Sequence, residues 1–528
     1  MFTRAHRVVL CLFLLSLLRV DAAEPPPDLV IRGARVADGS GGPLVRADVA
    51  VRTGRIVAVG TVTARGRTEV DARGRVLAPG FIDVHTHSEN IDDLPDAENF
   101  LRMGVTTIVT GNCGGSKLRV GEFFRQLEAS NVAVNVATLI GHNTVRNQVM
   151  GGSFRRPPTE DELRQMRALV DQAMRDGAVG LSTGLIYLPG TFARTDEIVA
   201  LAKVAAAHGG IYVSHMRYET VRIFEALEEL FTIAHEANLP AEVSHLKLSG
   251  PNAWGQADKV LAALDRARAN GLRITHDQYV YTASSTSLSQ LIPSEAREGG
   301  NARFLERLAD PAQKARIVAE MKRTLKNGSR EDYSYAVIAS YRRDRSLNGK
   351  TIPEAARLKR GSASLDDQIE LLFELHRNGG ASGVFHNMDE PDLQRFLQHP
   401  LTMFASDSGP RRFGDGVPHP RGYGNNARVL GRYVRELKLL TLEEAVRKMT
   451  SLPAQTHRLG QRGRIQPGYA ADLVVFDPDQ VRDPATFESP HHYAEGFSHV
   501  FVNGVAVIAE GQLTGKRPGR PVRRETVP

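Results

Sequence analysis

Between about residue 79 and residue 455 the sequence alternates. Apolar strand-like runs take turns with amphipathic helical stretches, among them Glu160 to Met174, Thr195 to Ala207, Phe224 to Asn238 and Ala257 to Asn270. A strand that reaches its next strand through a helix pairs parallel to it, and the helix covers the sheet. The repeat therefore builds a parallel α/β domain, either an open sheet or a barrel. Strand ends fall near Asp83, Thr110, Leu139, Ser182, Val213, Ser244, Asp277, Phe385 and Ala405. These are nine, one more than an eight-stranded barrel uses, so one is misread or belongs to an insertion. Residues 284–345, Ser-rich and then charged, interrupt the rhythm and read as an inserted cap over the barrel mouth.

The flanks follow a different grammar. Leu29 to Ile31, Asp48 to Val51 and Arg55 to Val59 are short apolar runs separated by turn signals, without helices. The same pattern returns in Ala471 to Phe476 and in Val500 to Ile508, with its Asn503-Gly504 hairpin signal. The expected architecture is a (β/α)8 barrel over 79–455, carried beside a small β-sandwich assembled from 23–78 and 456–528.

Ahead of these, Arg4 and Arg7 precede an apolar run from Val8 to Leu18, followed by small residues around Val20-Asp21-Ala22. Residues 1–22 read as a secretory signal peptide, with an uncleaved N-terminal anchor as the alternative. The run is shorter than the roughly 20 residues of a membrane-spanning helix. The expectation is export to the periplasm or the medium, with no membrane contact after cleavage. Removing this segment lowers the formal charge from +7 to +5, and the remaining Lys and Arg are interspersed with acids. Such a distribution gives no footprint for nucleic acid, while small anionic substrates stay open. One of the two cysteines also leaves, so Cys113 remains without a partner for an internal disulfide.

The chemistry-bearing residues sit at strand ends. His85-Thr86-His87 follows the run Phe81 to Val84, and residues two apart on a strand face the same way. Val213-Ser214-His215-Met216-Arg217 and Val243-Ser244-His245-Leu246-Lys247 repeat one another 30 residues apart, about one βα unit. Cys113 lies in Gly111-Asn112-Cys113-Gly114-Gly115, just after Val105 to Thr110. Each histidine alone suits a hydrogen-bonding role as well as a metal, and Cys113 alone suits a buried structural thiol. Together, four imidazoles and one thiol at the end of a barrel where active sites lie match the ligand preferences of Zn2+. Ser406-Asp407-Ser408 adds a carboxylate that serves as ligand, as general base, or as the N-cap of the next helix.

These segments, together with Ala78-Pro79-Gly80-Phe81-Ile82-Asp83, Gly180 to Tyr187, His419-Pro420-Arg421 and Gly468 to Pro478, resemble the D-aminoacylase (N-acyl-D-amino-acid deacylase) branch of the amidohydrolase superfamily. The resemblance spans the chain beyond the signal segment and is most specific around Cys113, where many relatives use a carboxylated lysine instead. It implies hydrolysis of the amide bond of a small N-acyl-D-amino acid. Cys113, His215 and His245 would hold one tight zinc, and His85 and His87 with Cys113 would frame a second, weaker or empty position. Asp407, placed beside the metals, would move the proton. Lys247, Arg421, Tyr281 and Ser287 would bind substrate. A dipeptidase or cyclic-amide hydrolase reaction on the same site is the alternative. The chain departs from the branch at Tyr279-Val280-Tyr281, at Tyr218 and at Ser408, where Tyr-Pro-Tyr, an acid and Gly are usual. These departures bear on substrate choice.

Overall fold

Eight parallel strands form a ring: Phe81–Asp83, Val105–Thr110, Asn135–Thr138, Gly180–Gly184, Ile211–His215, Ala241–Val243, Ile274–Gln278 and Thr402–Phe404. In this computed structural model, which describes residues 25–525, six of the successive pairs are ladders in parallel register. The third strand reaches the fourth through the two-residue extension Ile140–Gly141. The ring closes where Thr86 bridges Ser408. The segment assigned to a signal peptide lies outside the described residues.

Side chains alternate across the barrel wall, as strand geometry requires. Ile82, Val84, Val109, Leu139, Val213, Met403 and Ala405 pack with one another, and Leu452, Leu459 and Val522 join them. Their neighbours Phe81, Ile108, Val136, Leu181, Tyr212 and Phe404 join a larger cluster with helix residues such as Phe124, Val170, Leu230 and Leu264. Burial on both faces is why these strands read as continuous apolar runs rather than as polar-apolar alternation.

The ninth strand end belongs to the insertion, which is longer than the sequence suggested. Ser382–Phe385 pairs antiparallel with Ser284–Ser287 and with Ala336–Ser340. With the helices Gly300–Ala309, Pro311–Asn327, Ile352–Arg360 and Leu365–Arg377, this small sheet has its own core around Phe304, Met321, Ile338, Leu372 and Phe373. The cap segment therefore runs to Phe385 rather than ending at 345. A short apolar run does not declare which sheet it will join.

The two chain ends share one nine-stranded sheet. Leu473–Phe476 pairs antiparallel with Val76–Pro79, which also pairs with Leu29–Val36. Leu29, Ile31, Val49, Leu77, Leu473 and Val475 form one apolar cluster of this sheet, while Val76, Ala78, Val474 and Phe476 face the core shared with the barrel helices. Gly80 alone separates this sheet from the first barrel strand, so the sheet anchors the segment that carries His85 and His87.

Lys448, on the helix Leu442–Met449, is fully buried. Its ammonium donates to the Leu397 carbonyl at 2.7 Å, and among the described residues no carboxylate lies within ion-pair reach of it. Burial pulls its pKa from 10.5 down to about 7. A lysine depressed in the folded state costs stability wherever the unfolded chain still holds the proton. Lys448→Met is expected to raise Tm most near and below pH 7, with the gain fading as pH rises towards 10.5. Thermal melts of both proteins across that range check it, and a gain independent of pH would refute the buried-charge account.

Candidate metal centre and active site

The strand ends converge on one sulfur. Cys113 Sγ lies 3.3 Å from His85 Nε2, 3.5 Å from His215 Nδ1 and 3.7 Å from His245 Nε2. Two donors on one tetrahedral zinc, with Zn–S and Zn–N bonds of about 2.3 and 2.05 Å, stand roughly 3.5 Å apart. The donor set therefore fits that ion in chemistry and in spacing. Three overlapping groups place their ligand atoms within 4.8 Å of one another: His85 with Cys113 and His245, His85 with His87 and Asp407, and His215 with Glu219 and His245. The structure thus brings together all six residues proposed as ligands and adds Glu219.

Local backbone explains how they meet. Gly111 and Gly114, both at positive φ, leave no room for a Cβ against the Leu139 carbonyl and the Asn143 side chain, so the loop turns tightly and carries Cys113 inward. Cys113, His245 and Asp407 themselves adopt φ of 52°, 35° and 49°. A non-glycine residue held there costs on the order of 1–3 kcal/mol, which the surrounding hydrogen bonds must offset. Asp83 accepts from the backbone of Ser406 and of His85, and the Asp407 N–H donates to the His85 carbonyl at 2.9 Å. These bonds lock the first and last strand ends into one unit.

A second layer of carboxylates orients the imidazoles. Asp277 Oδ2 is 3.1 Å from His85 Nδ1, and its Oδ1 accepts the His245 N–H at 2.9 Å. Glu219 Oε1 accepts from Lys247 Nζ at 2.5 Å and lies 3.1 Å from His245 Nδ1. Such partners fix ring orientation and raise ligand basicity. Burial alone would push the Cys113 thiol up, but His85 and His215 hold it well below the usual thiol range, in the thiolate form that metals bind. Burial likewise opposes ionisation of Asp407, and Arg421, with Nη1 2.9 Å from Asp407 Oδ2, outweighs it together with His85 and His87.

A cavity of about 280 Å3 opens beside this centre, lined by Tyr187, His215, His245, Lys247, Tyr279 and Asp407. The inserted segment supplies its other wall, with Ser284, Ser285, Thr286, Tyr335 and Phe385. Two of the residues named for substrate binding point elsewhere. The Tyr281 hydroxyl donates to Asp483 at 2.7 Å, while the equivalent position at the cavity is taken by Tyr279. The chain leaves the strand at Gln278, so face alternation stops deciding which tyrosine points inward. Ser287 lines a different cavity, and its oxygen accepts from the Ser289 N–H. Arg421 is buried below the cavity wall, its guanidinium 4.5 Å from the Tyr279 ring centre. Its Nε and Nη1 have no hydrogen-bond acceptor, because the Asp407 contact is close but not aligned as a hydrogen bond. Tyr187, whose ring sits 4.8 Å from that of His215, and Glu219 and Asp277 were not singled out by sequence.

Comparison with known proteins adds to this geometry. The family model described as the amidohydrolase family matches residues 68–508. The chain belongs to the amidohydrolase family. It is 38% identical to the D-aminoacylase of Alcaligenes xylosoxydans xylosoxydans over 524 residues, covering 94% of this chain and 98% of that protein. It is 36% identical to the N-acyl-D-glutamate deacylase of the same organism, covering 94% and 97%. The crystal structure of an N-acyl-D-glutamate deacylase from Bordetella bronchiseptica, complexed with zinc and a phosphonate mimic of the tetrahedral intermediate, superposes with a TM-score of 0.80 at 34% identity. That match covers 94% of this chain and all of the other. This amidohydrolase is accordingly a metal-dependent enzyme on a barrel of the TIM type.

Proposed function

We propose that the enzyme uses zinc to hydrolyse the amide bond of N-acyl-D-amino acids, releasing a carboxylate and a free D-amino acid. The observation that carries this reading is the Cys113 sulfur set among three imidazoles, with Asp407 3.1 Å from His87 Nε2 and Lys247 at the wall of the same cavity. The D configuration rests on the relatives, which are named for D substrates. Cys113, His215 and His245 would hold one ion, and His85, His87 and Cys113, with Asp407, a second. Zinc, when bound, polarises the acyl carbonyl and lowers the pKa of a water to about 7.

The protein's own groups do the rest. Asp407, kept anionic by Arg421 and by the imidazoles, accepts a proton from the attacking water and passes it to the departing amine nitrogen. Lys247 at the cavity wall offers a charge-assisted hydrogen bond to the substrate carboxylate, and Arg421, buried behind that wall with N–H donors that lack an aligned acceptor, would supply a second. Tyr279 and the hydroxyls of Ser284, Ser285 and Thr286 border the same space. Export, with cleavage near residue 22, is part of the proposal, and N-terminal sequencing of protein recovered outside the cytoplasm tests it.

Steady-state kinetics with an N-acetyl-D-amino acid, its L enantiomer and its carboxamide test the activity. A hydrogen bond to a charged group contributes about 1.5–3 kcal/mol, so the acid should exceed the carboxamide in kcat/KM by roughly 10- to 100-fold. Arg421→Ala should bring that ratio towards one, whatever it does to the rate common to both. Equal turnover of acid and carboxamide by the wild type would refute the clamp. Faster cleavage of dipeptides or hydantoins than of acyl-D-amino acids would replace the substrate assignment.

A further inference from the structure

The small sheet of the inserted segment has two ends, and only one faces the metal centre. Ser284, Ser285 and Thr286 line the catalytic cavity, whereas Ser287 borders a separate cavity of about 590 Å3. Ser287 pairs with Ser382, and Ser382 with Ser340, the second pair just past a register shift between Ile338 and Ser340. Directly opposed residues share a face, with Cβ atoms roughly 4.5–5.5 Å apart. All three serines line the second cavity. The Ser340 and Ser382 hydroxyls make no hydrogen bond among the described residues. Ser287 only accepts one, from the Ser289 N–H at 3.2 Å, which leaves its own O–H free.

Two cations complete the wall. Arg342 and Arg343 come one residue, Tyr341, after the strand Ala336–Ser340, and both line the cavity. Neither takes part in an ion pair or hydrogen bond among the described residues. Nearby charges do pair, Arg345 with Asp415 and Lys359 with Asp344. The cavity lining contains no aspartate or glutamate. Three unused hydroxyl donors in a row, two unpaired guanidiniums and no opposing carboxylate form a surface complementary to an oxyanion. Arginine suits that task because its planar fork matches phosphate and carboxylate geometry.

We propose that this second cavity is an anion-binding site, taking a phosphate or carboxylate group on the serine row and the Arg342 and Arg343 guanidiniums that share its lining. The two cavities adjoin along this strand: Thr286 lines the catalytic one and its neighbour Ser287 the second, with Ser284 about 10 Å from Ser287 at about 3.4 Å per residue. The far end of an extended acyl group can span that distance. The site does not depend on the reaction assigned to the metal centre.

Titration calorimetry of inorganic phosphate into the metal-loaded protein at constant ionic strength tests the proposal, with the Arg342→Ala/Arg343→Ala double variant beside the wild type. Both arginines are exposed and outside the catalytic machinery, so folding and basal turnover should be retained. Phosphate held at the metal centre would be common to both proteins and cancels in the comparison. The expected result is a phosphate site weakened at least tenfold in the double variant and several-fold in Ser382→Ala. Identical isotherms for the wild type and the double variant would overturn the proposal. Kinetics then separate the two sources of the anion. A fall in kcat/KM of the double variant for an N-succinyl substrate, with N-acetyl unchanged, assigns the site to the substrate's own acyl end. Loss of phosphate binding with both substrates unaffected assigns it to a separate anion.

Discussion

Cys113→Ser is expected to lose bound zinc and turnover together while the barrel stays folded. Among the described residues the sulfur is the one donor close to three imidazoles, so its removal weakens both metal positions at once. A serine hydroxyl stays protonated near neutral pH and is a far weaker ligand than the thiolate that His85 and His215 favour here. If one of four ligands carries roughly a quarter of the ~10–16 kcal/mol seen for structural zinc, zinc affinity falls by about a hundredfold or more. Folding should survive, because Cys113 lies in a loop outside the apolar clusters that fill the barrel and surround it. Metal analysis after gel filtration, circular dichroism and an activity assay read the three quantities separately. Full zinc occupancy with normal turnover in the variant would remove Cys113 from the centre.

The strand-end residues were legible because two simple periodicities locate them. A period of two sends His85 and His87 to one side of the first strand end, and a βα repeat sets His215 and His245 at the same level of the rim. Eight of the nine strand ends read from sequence coincide with the barrel strands, since runs buried on both faces are continuous and apolar. What escaped depends on how loops fold back. Glu219 meets Lys247 across 28 residues, and no local pattern marks that pairing. Asp277 was read only as a strand end, although its carboxylate holds His85. Tyr279 and Tyr281 are the same residue type two positions apart, and the choice between them is made by the Asp483 carboxylate some two hundred residues later. The reach of the inserted segment failed for a related reason: Ser382–Phe385 has the composition of a barrel strand and is claimed by its two antiparallel neighbours. The positive φ at Cys113, His245 and Asp407 leaves no trace in residue type, since none of them is glycine.

Asp407→Asn is expected to collapse kcat while leaving about one tightly bound zinc in place. Asparagine keeps the size of the side chain but cannot take a proton, and loss of general acid-base help typically costs 10² to 10⁴ in rate. The metal outcome follows from position. Asp407 touches His87 and approaches His85, whereas the group around Cys113, His215 and His245 does not include it. Any metal lost should therefore come from the weaker position on the His87 side. The variant also removes the carboxylate that faces the buried Arg421 guanidinium, so a modest fall in Tm is expected, and breaking such a buried pair costs up to about 3–5 kcal/mol. The double variant Asp407→Asn/Arg421→Met should recover stability, which would assign the fall in Tm to the broken ion pair; its turnover carries no weight, because Arg421 also serves the substrate carboxylate. Single-turnover kinetics together with metal analysis decide the matter. A kcat near that of the wild type in Asp407→Asn, at undiminished zinc content, would show that the proton travels through another group, and Glu219, already beside His245 and Lys247 at the cavity wall, is the next to test.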